Sequence, residues 1–252
     1  MPEKTDRPAC AGRNGTFILA EILRIMIIVM VPDKGVWERE YARRGTIWGR
    51  SAHELPAIPA GSRVLELGCG NGKTTRSLVR KGLRVTAVDF SPCAVSLSRK
   101  HSVAGVEEDL ATADAISLPF RDGSFDAVSA VHIVGHLGEQ ERNRAVSEII
   151  RVLGGEGMLI FRDFSTGDFR YGKGLETGPG SFRRGTGIVT HYFEQSEVMA
   201  LFFPLVCLSF TFNSYSLRVR GISYPREEIT ATFVKPAGIG QDFSPPASGN
   251  VF

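Results

Sequence analysis

The stretch Val64-Leu65-Glu66-Leu67-Gly68-Cys69-Gly70-Asn71-Gly72-Lys73-Thr74-Thr75 decides the fold of this chain. Val64, Leu65 and Leu67 predict a buried strand, and Lys73, Thr74 and Thr75 open a helix at once. Between them Gly68, Gly70 and Gly72 allow a sharp turn and leave the main chain bare, so that a ligand can lie against it. Glu66 stands among the apolar strand residues, where a carboxylate is costly to bury without a partner. Spacing sorts the ligands such a loop could take. A dinucleotide fingerprint, G-x-G-x-x-G, needs a third glycine where this chain has Lys73. Gly72-Lys73-Thr74 matches the end of a phosphate loop, but Leu67 stands at that loop's first glycine, inside the strand. No later apolar strand ends in a clear magnesium-binding aspartate.

The remaining pattern, E-x-G-x-G-x-G, resembles the first motif of the class I S-adenosylmethionine-dependent methyltransferases. Their cofactor has a methionine tail, a ribose and an adenine, and downstream residues suit each part. Residues 83–88 form a short apolar run ending at Asp89, at the offset where a carboxylate reaches ribose hydroxyls. Ser91 is placed to cap the next helix, with Pro92 at its first position. Residues 110–114 read as a third strand ending in Asp114, and Phe125-Asp126-Ala127-Val128 lead a fourth. In the family the Asp114 position meets the adenine amine. The resemblance thus implies cofactor contacts at Glu66, Gly68, Cys69, Gly70, Gly72, Asp89, Phe90, Asp114, Ala115 and Val131. Read from the residues alone, Cys69 is a small side chain that fits the loop.

With 252 residues, 42% of them hydrophobic, the chain can bury one sizeable α/β core. Its four cysteines, Cys10, Cys69, Cys93 and Cys207, form no C-x-x-C pair. This scatter argues against a zinc site or a disulfide framework and suits a reducing cytoplasm, and nothing points to a metal. A net charge of +3 permits an acidic partner such as RNA without requiring one. Residues 17–31 are strongly apolar but short for a membrane span, and Glu21 and Arg24 interrupt them. They also lack the flanks of a secretory signal. Residues 1–34 read as an N-terminal extension, disordered over 1–16. Either 17–31 is a peripheral helix packed on the core, or the native protein starts near Met30. Deleting 1–29 and measuring thermal stability separates the two. Residues 35–236 are the catalytic domain, and 237–252, with Pro245-Pro246, a disordered tail.

From Gly35, Trp37, Tyr41 and Trp48 alternate with charged residues in an amphipathic segment. Trp37 reads as packing on the domain. Tyr41 and Trp48 are open to closing over substrate, as such segments do in many class I methyltransferases. Residues 139–153 have helical periodicity, and Gly154-Gly155 can end that helix in a left-handed turn. Met158-Leu159-Ile160-Phe161 then forms a fifth strand that carries Arg162-Asp163-Phe164 to its C-terminal end. Ligands bind there in open α/β sheets, so the Arg162-Asp163 pair is placed for substrate, or else is a structural ion pair. Residues 205–235 alternate as the sixth and seventh strands of an antiparallel edge hairpin. The expected architecture is a Rossmann-like class I methyltransferase: a mostly parallel seven-stranded sheet with that C-terminal edge hairpin and helices on both faces.

Arg162, Asp163, Phe164, Asp168, Arg170, Arg183, Gly185, Tyr192, Phe193 and Phe202 follow a pattern that resembles the tRNA 3-methylcytidine methyltransferases. The likeness runs over 36–236. The family's N-terminal Phe-Phe-x-Asp-Arg element is missing, with Thr46-Ile47-Trp48-Gly49-Arg50 near its place, and no separate RNA-binding domain is recognisable. Docking of tRNA therefore calls for a partner protein or a patch-based contact. The resemblance implies substrate contacts at Arg170, Arg183, Tyr41 and Trp48. A ring nitrogen such as N3 of cytosine needs no base, and Asp163 could stabilise its developing cation. An oxygen or amine acceptor needs proton removal, for which His132 and His136 are candidates. Residues 166–187 are expected to form a long loop of mixed aromatics and cations over the active site, either contacting RNA or acting as an ordinary lid. Three functions remain: methyl transfer to an RNA base, methyl transfer to a small molecule, and a cofactor-binding subunit without chemistry of its own.

Overall fold

The computed structural model describes residues 34–45, 55–102 and 108–238. The expectations for 1–33, Trp48 and the tail from 239 onward lie outside the described residues. Seven strands form the central sheet in the order β3-β2-β1-β4-β5-β10-β9. These are β1 (Arg63–Leu67), β2 (Arg84–Asp89), β3 (Glu108–Thr112), β4 (Phe125–Val131), β5 (Leu153–Phe164), β9 (Val206–Val219) and β10 (Ile222–Val234). The first five run parallel, and β10 runs antiparallel between β5 and β9. This is the expected sheet with its antiparallel edge hairpin.

Period-2 alternation sorts the strand side chains into two cores. Leu65, Leu67, Val128, Leu159 and Phe161 pack on one face with Ala145, Val146 and Ile149 of α4 (Glu139–Val152) and Val198 of α5 (Gln195–Leu201). Val64, Val85, Ala87, Ala127 and Ile160 pack on the other with Leu78 and Val79 of α2 (Lys73–Arg80) and Val95 of α3 (Pro92–Lys100). Each fully buried aliphatic side chain contributes about 1.5–3 kcal/mol. Ser91 caps α3 as expected: its Oγ accepts from Ala94 N at 3.1 Å, and Pro92 follows. No helix of the described residues is long and apolar enough to cross a membrane.

Two expectations need correction. Helix α4 ends at Val152 without a left-handed glycine, because Leu153 is already extended and pairs with Phe125. The left-handed residue comes later, at Glu156 with φ 59°. Residues 166–187 are not one long loop. They build much of a small antiparallel sheet of β6 (Leu175–Gly178), β7 (Ser181–Arg183) and β8 (Val189–His191). Its aromatics largely serve packing: Phe182 and Tyr192 are buried with Phe164, and Tyr171 meets Phe182 edge-on at 5.4 Å. Residues 34–44 form the helix α1 (Lys34–Arg44), where Tyr41 stacks on Trp37 with ring centroids 6.1 Å apart.

Candidate functional site

One cavity of about 320 Å³ opens at the C-terminal ends of the parallel strands. Its first half is the glycine loop between β1 and α2. Gly68, Gly70 and Gly72 have φ values of 68°, 53° and 75°, a region in which glycine alone is unstrained. Gly68 and Gly70 line the cavity, whereas Gly72 turns the chain against Ser98. A Cβ on Gly70 would stand 2.7 Å from the Tyr41 hydroxyl, so α1 closes directly over the loop. Cys69 and Asn71 complete the lining there.

Asp89 ends β2 and braces this loop. Its Oδ2 accepts from Gly70 N and its Oδ1 from Ser91 N, both at 2.9 Å. Burial pushes its pKa up to about 6, against these two backbone donors. Glu66 is buried on the same face, with Thr75 donating to its Oε2 at 2.6 Å. Burial outweighs that bond and raises the Glu66 pKa to about 8. Phe90, Val131, Asp114 and Ala115 line the cavity beyond. Asp114 lies two residues past the end of β3, where its Oδ1 accepts from Ile116 N at 3.2 Å. The cofactor residues expected from the sequence therefore converge, with Gly72 set back from the wall.

The second half gathers around His132, the residue after β4. It holds φ 54°, a conformation costly for a side chain of this size. Its Nδ1 is 3.7 Å from Asp163 Oδ1 and its Nε2 is 3.6 Å from Glu228 Oε1, while its ring stacks on Phe164 at 4.6 Å. Strand alternation explains this convergence. Asp163 belongs to the same face as Phe161, whereas Arg162 and Glu228 belong to the other, and His132 sits just past the C-terminal end of the central strand β4 between them.

Arg162 and Asp163 are thus not a pair. Asp163 is fully buried and accepts from Gly135 N at 2.7 Å and Phe164 N at 3.0 Å. Burial alone would raise its pKa, but the His132 and His136 rings and the Gly135 amide hold it below the usual carboxylate range. Arg162 Nε donates to Glu228 Oε2 at 2.6 Å, and Tyr215 Oη donates to Glu228 Oε1 at 2.6 Å. Burial of Glu228 is likewise outweighed, by His132, Tyr215 and Arg162, so its pKa is lowered. Neither Arg162 nor Asp163 lines the cavity, whereas Glu228, Tyr215, Leu217, Arg226 and Phe164 do.

His136 also faces the cavity, edge-on to Trp37 at 4.7 Å. Its Nδ1 is 2.7 Å from the Val189 carbonyl oxygen, so Nδ1 carries the proton and the lone pair lies on Nε2. Burial lowers its pKa and favours that neutral form. Trp37, read from the sequence as simple packing, is therefore a wall residue. Arg170 and Arg183 are not: Arg170 is buried with its Nε on Asp168 at 2.7 Å, and Arg183 lies on β7. Tyr41 lies against the glycine loop, in the cofactor half.

Residues 65–161 match the family model for a methyltransferase domain. A tRNA N(3)-methylcytidine methyltransferase of Schizosaccharomyces pombe is 25% identical over 191 residues, covering 66% of this chain and 76% of that protein. A demethylmenaquinone methyltransferase of Clavibacter sepedonicus is 32% identical over 120 residues, 48% of each chain. The solved structure of an S-adenosylmethionine-dependent methyltransferase from Methanosarcina mazei superposes with a TM-score of 0.61 at 23% identity, over 71% of this chain and 94% of that one. The chain spans only 23%, 48% and 54% of the length of three curated relatives it matches, the Clavibacter enzyme being the second. The fold is that of the S-adenosylmethionine-dependent methyltransferases.

Proposed function

We propose that this chain is an S-adenosylmethionine-dependent methyltransferase whose acceptor is a nucleic-acid base, methylated at a ring nitrogen as in tRNA cytidine N3 methylation. The observation that carries the acceptor is the reach of the similarity. Likeness to the tRNA enzyme runs over 191 residues, beyond the 65–161 methyltransferase domain, whereas likeness to the quinone enzyme covers 120. The chain's residues fit the cofactor: Gly68 and Gly70 offer bare backbone, Asp89 suits the ribose, and Asp114 with Ala115 suits the adenine. Glu66, carrying a proton until a cation approaches, suits the methionine end. When bound, the sulfonium supplies an already activated methyl group.

What the chain must add is alignment, worth ~7–11 kcal/mol when the reacting atoms are held in line. Tyr215 and Trp37 give flat surfaces for a base. A ring nitrogen turns cationic as it is methylated, and the ionised Glu228, with Asp163 behind His132, favours that charge. The described residues contain no separate RNA-binding domain, so a partner protein for RNA docking belongs to this reading. The test is incubation of the full chain with methyl-labelled cofactor and total RNA, followed by nucleoside analysis. Label in a methylated base is expected, and its absence from all nucleosides refutes the acceptor.

A second reading, methyl transfer to a small hydroxyl or amine acceptor, is favoured by one feature. His136 presents an unprotonated Nε2 in a neutral ring at the cavity wall, as a general base requires.

A further inference from the structure

Arg226 reaches the cavity from β10 with 6% of its surface exposed. Its Nε donates to Asp168 Oδ2 at 2.5 Å, while Arg170 Nε takes Asp168 Oδ1 at 2.7 Å. One carboxylate therefore faces two guanidinia, and a positive charge is left over. Glu228 on the same wall does not cancel it, being engaged by Tyr215 and Arg162. The Phe164 ring lies 4.6 Å from the Arg226 guanidinium carbon, and the rings of Phe169 and Tyr215 lie 5.9 Å away. The aromatic rings and Asp168 together fix the plane of the group. Among the described residues, the only hydrogen bond from this side chain is the one to Asp168, so its two terminal nitrogens are not committed to a protein acceptor.

A buried guanidinium, fixed through Nε and bordering a cavity, offers a pre-set fork of donors to an oxygen on the ligand. We infer that Arg226 is the specificity-determining group of the acceptor end, donating to a hydrogen-bond-accepting oxygen of the acceptor. Resting on the nucleic-acid reading, that oxygen is either the carbonyl of the base or a phosphate oxygen of its nucleotide. Asp168 and Arg170 act behind it as positioning residues. Arg226 lies outside the motifs that mark the cofactor half, and its role does not depend on which histidine, if any, moves a proton.

The experiment is calorimetric titration of the full chain, saturated with S-adenosylhomocysteine, with cytidine, cytidine 5′-monophosphate and ribose 5-phosphate as probes. Binding of cytidine and its monophosphate alike identifies the carbonyl, and binding of the two phosphates without cytidine identifies the phosphate. In either case Arg226→Gln weakens the bound probes about 10–100-fold, the size of a lost charge-assisted bond. Arg226→Lys, which keeps the charge but not the fork, falls between. The inference is overturned if Arg226→Gln binds every probe within twofold of wild type, or if no probe binds wild type at millimolar concentration. S-adenosylhomocysteine affinity serves as the folding control, and if Arg226→Gln fails it, Arg226→Lys decides in the same way. Arg226-dependent binding of ribose 5-phosphate without label in RNA would dismiss the nucleic-acid acceptor and leave this role standing. Label in RNA with unchanged probe affinity would do the reverse.

Discussion

Replacing Asp163 by Asn keeps size and shape and changes only what the group can accept. Its two oxygens receive Gly135 N at 2.7 Å and Phe164 N at 3.0 Å, with His132 Nδ1 at 3.7 Å. An amide has one oxygen, so its NH₂ must face one of the two backbone N–H groups. The Gly135 backbone packs closely on this group, since a Cβ there would lie 2.8 Å from Asp163 Oδ1. One stranded buried donor costs ~1–3 kcal/mol. Taking ~2 kcal/mol, at roughly 2–4 °C per kcal/mol for a chain of this size, the melting temperature falls by ~4–8 °C at neutral pH. Circular dichroism melting checks this, with Asp126→Asn, at the exposed Arg63–Asp126 pair, as a control expected to shift little. The sign with pH follows from the lowered Asp163 pKa. The stabilisation is present above the unfolded carboxylate pKa and is lost as pH falls through the folded value, so the gap to Asp163→Asn closes in acid. Methyl transfer should also fall, because His132 loses its partner at Nδ1. A variant melting within about 1 °C of wild type would refute the donor account, and full turnover despite a lowered melting temperature would refute the positioning of His132.

Other outcomes follow from the same geometry. With its pKa at about 8, Glu66 holds a proton at pH 7, and the ligand's cationic amine should displace it. Binding S-adenosylhomocysteine at pH 7 should therefore release up to about one proton, read from calorimetry in buffers of different ionisation enthalpy, and Glu66→Gln should abolish the release. Gly70→Ala sets an L side chain at φ 53° and against the Tyr41 hydroxyl, and should weaken S-adenosylhomocysteine binding about tenfold or more; wild-type affinity would contradict it. His136→Ala separates the two acceptor readings. Turnover of a proton-losing acceptor should drop about 10²–10⁴-fold, whereas methylation of a ring nitrogen should keep most of its rate.

The cofactor half was legible because its determinants are local. Glu66, the glycines and Asp89 lie within two consecutive βα units, and Asp114 just past the next strand, where motif spacing translates directly into position. The other half of the cavity was less legible, for two physical reasons. Adjacent strand residues face opposite ways, so Arg162-Asp163 could not act side by side. The residues that do line the wall, Tyr215, Arg226 and Glu228, come from an alternating hairpin where polar side chains ordinarily meet solvent. One signal was available: β10 had to pair on both sides, and Arg226, Glu227 and Glu228 inside such a strand need partners within the fold. Arg170 misled for the converse reason, since its guanidinium lies 3.9 Å over Phe164 and is spent internally.

The β9–β10 hairpin also sets an order of assembly. Donor-side links are short in sequence: Glu66 to Thr75 spans 9 residues and Gly70 to Asp89 spans 19. Acceptor-side links are long, with Arg226 to Asp168 spanning 58 and Arg162 to Glu228 spanning 66. Longer closures cost more entropy and come later, so a chain emerging from the ribosome can build the glycine-loop side of the cavity before the β9–β10 side exists. The same asymmetry runs backwards in the native state. Loosening the hairpin removes Tyr215, Arg226 and Glu228 together and leaves the glycine loop braced by Asp89. Hydrogen exchange followed strand by strand should show β9 and the outer part of β10 opening while β1 and β2 stay protected.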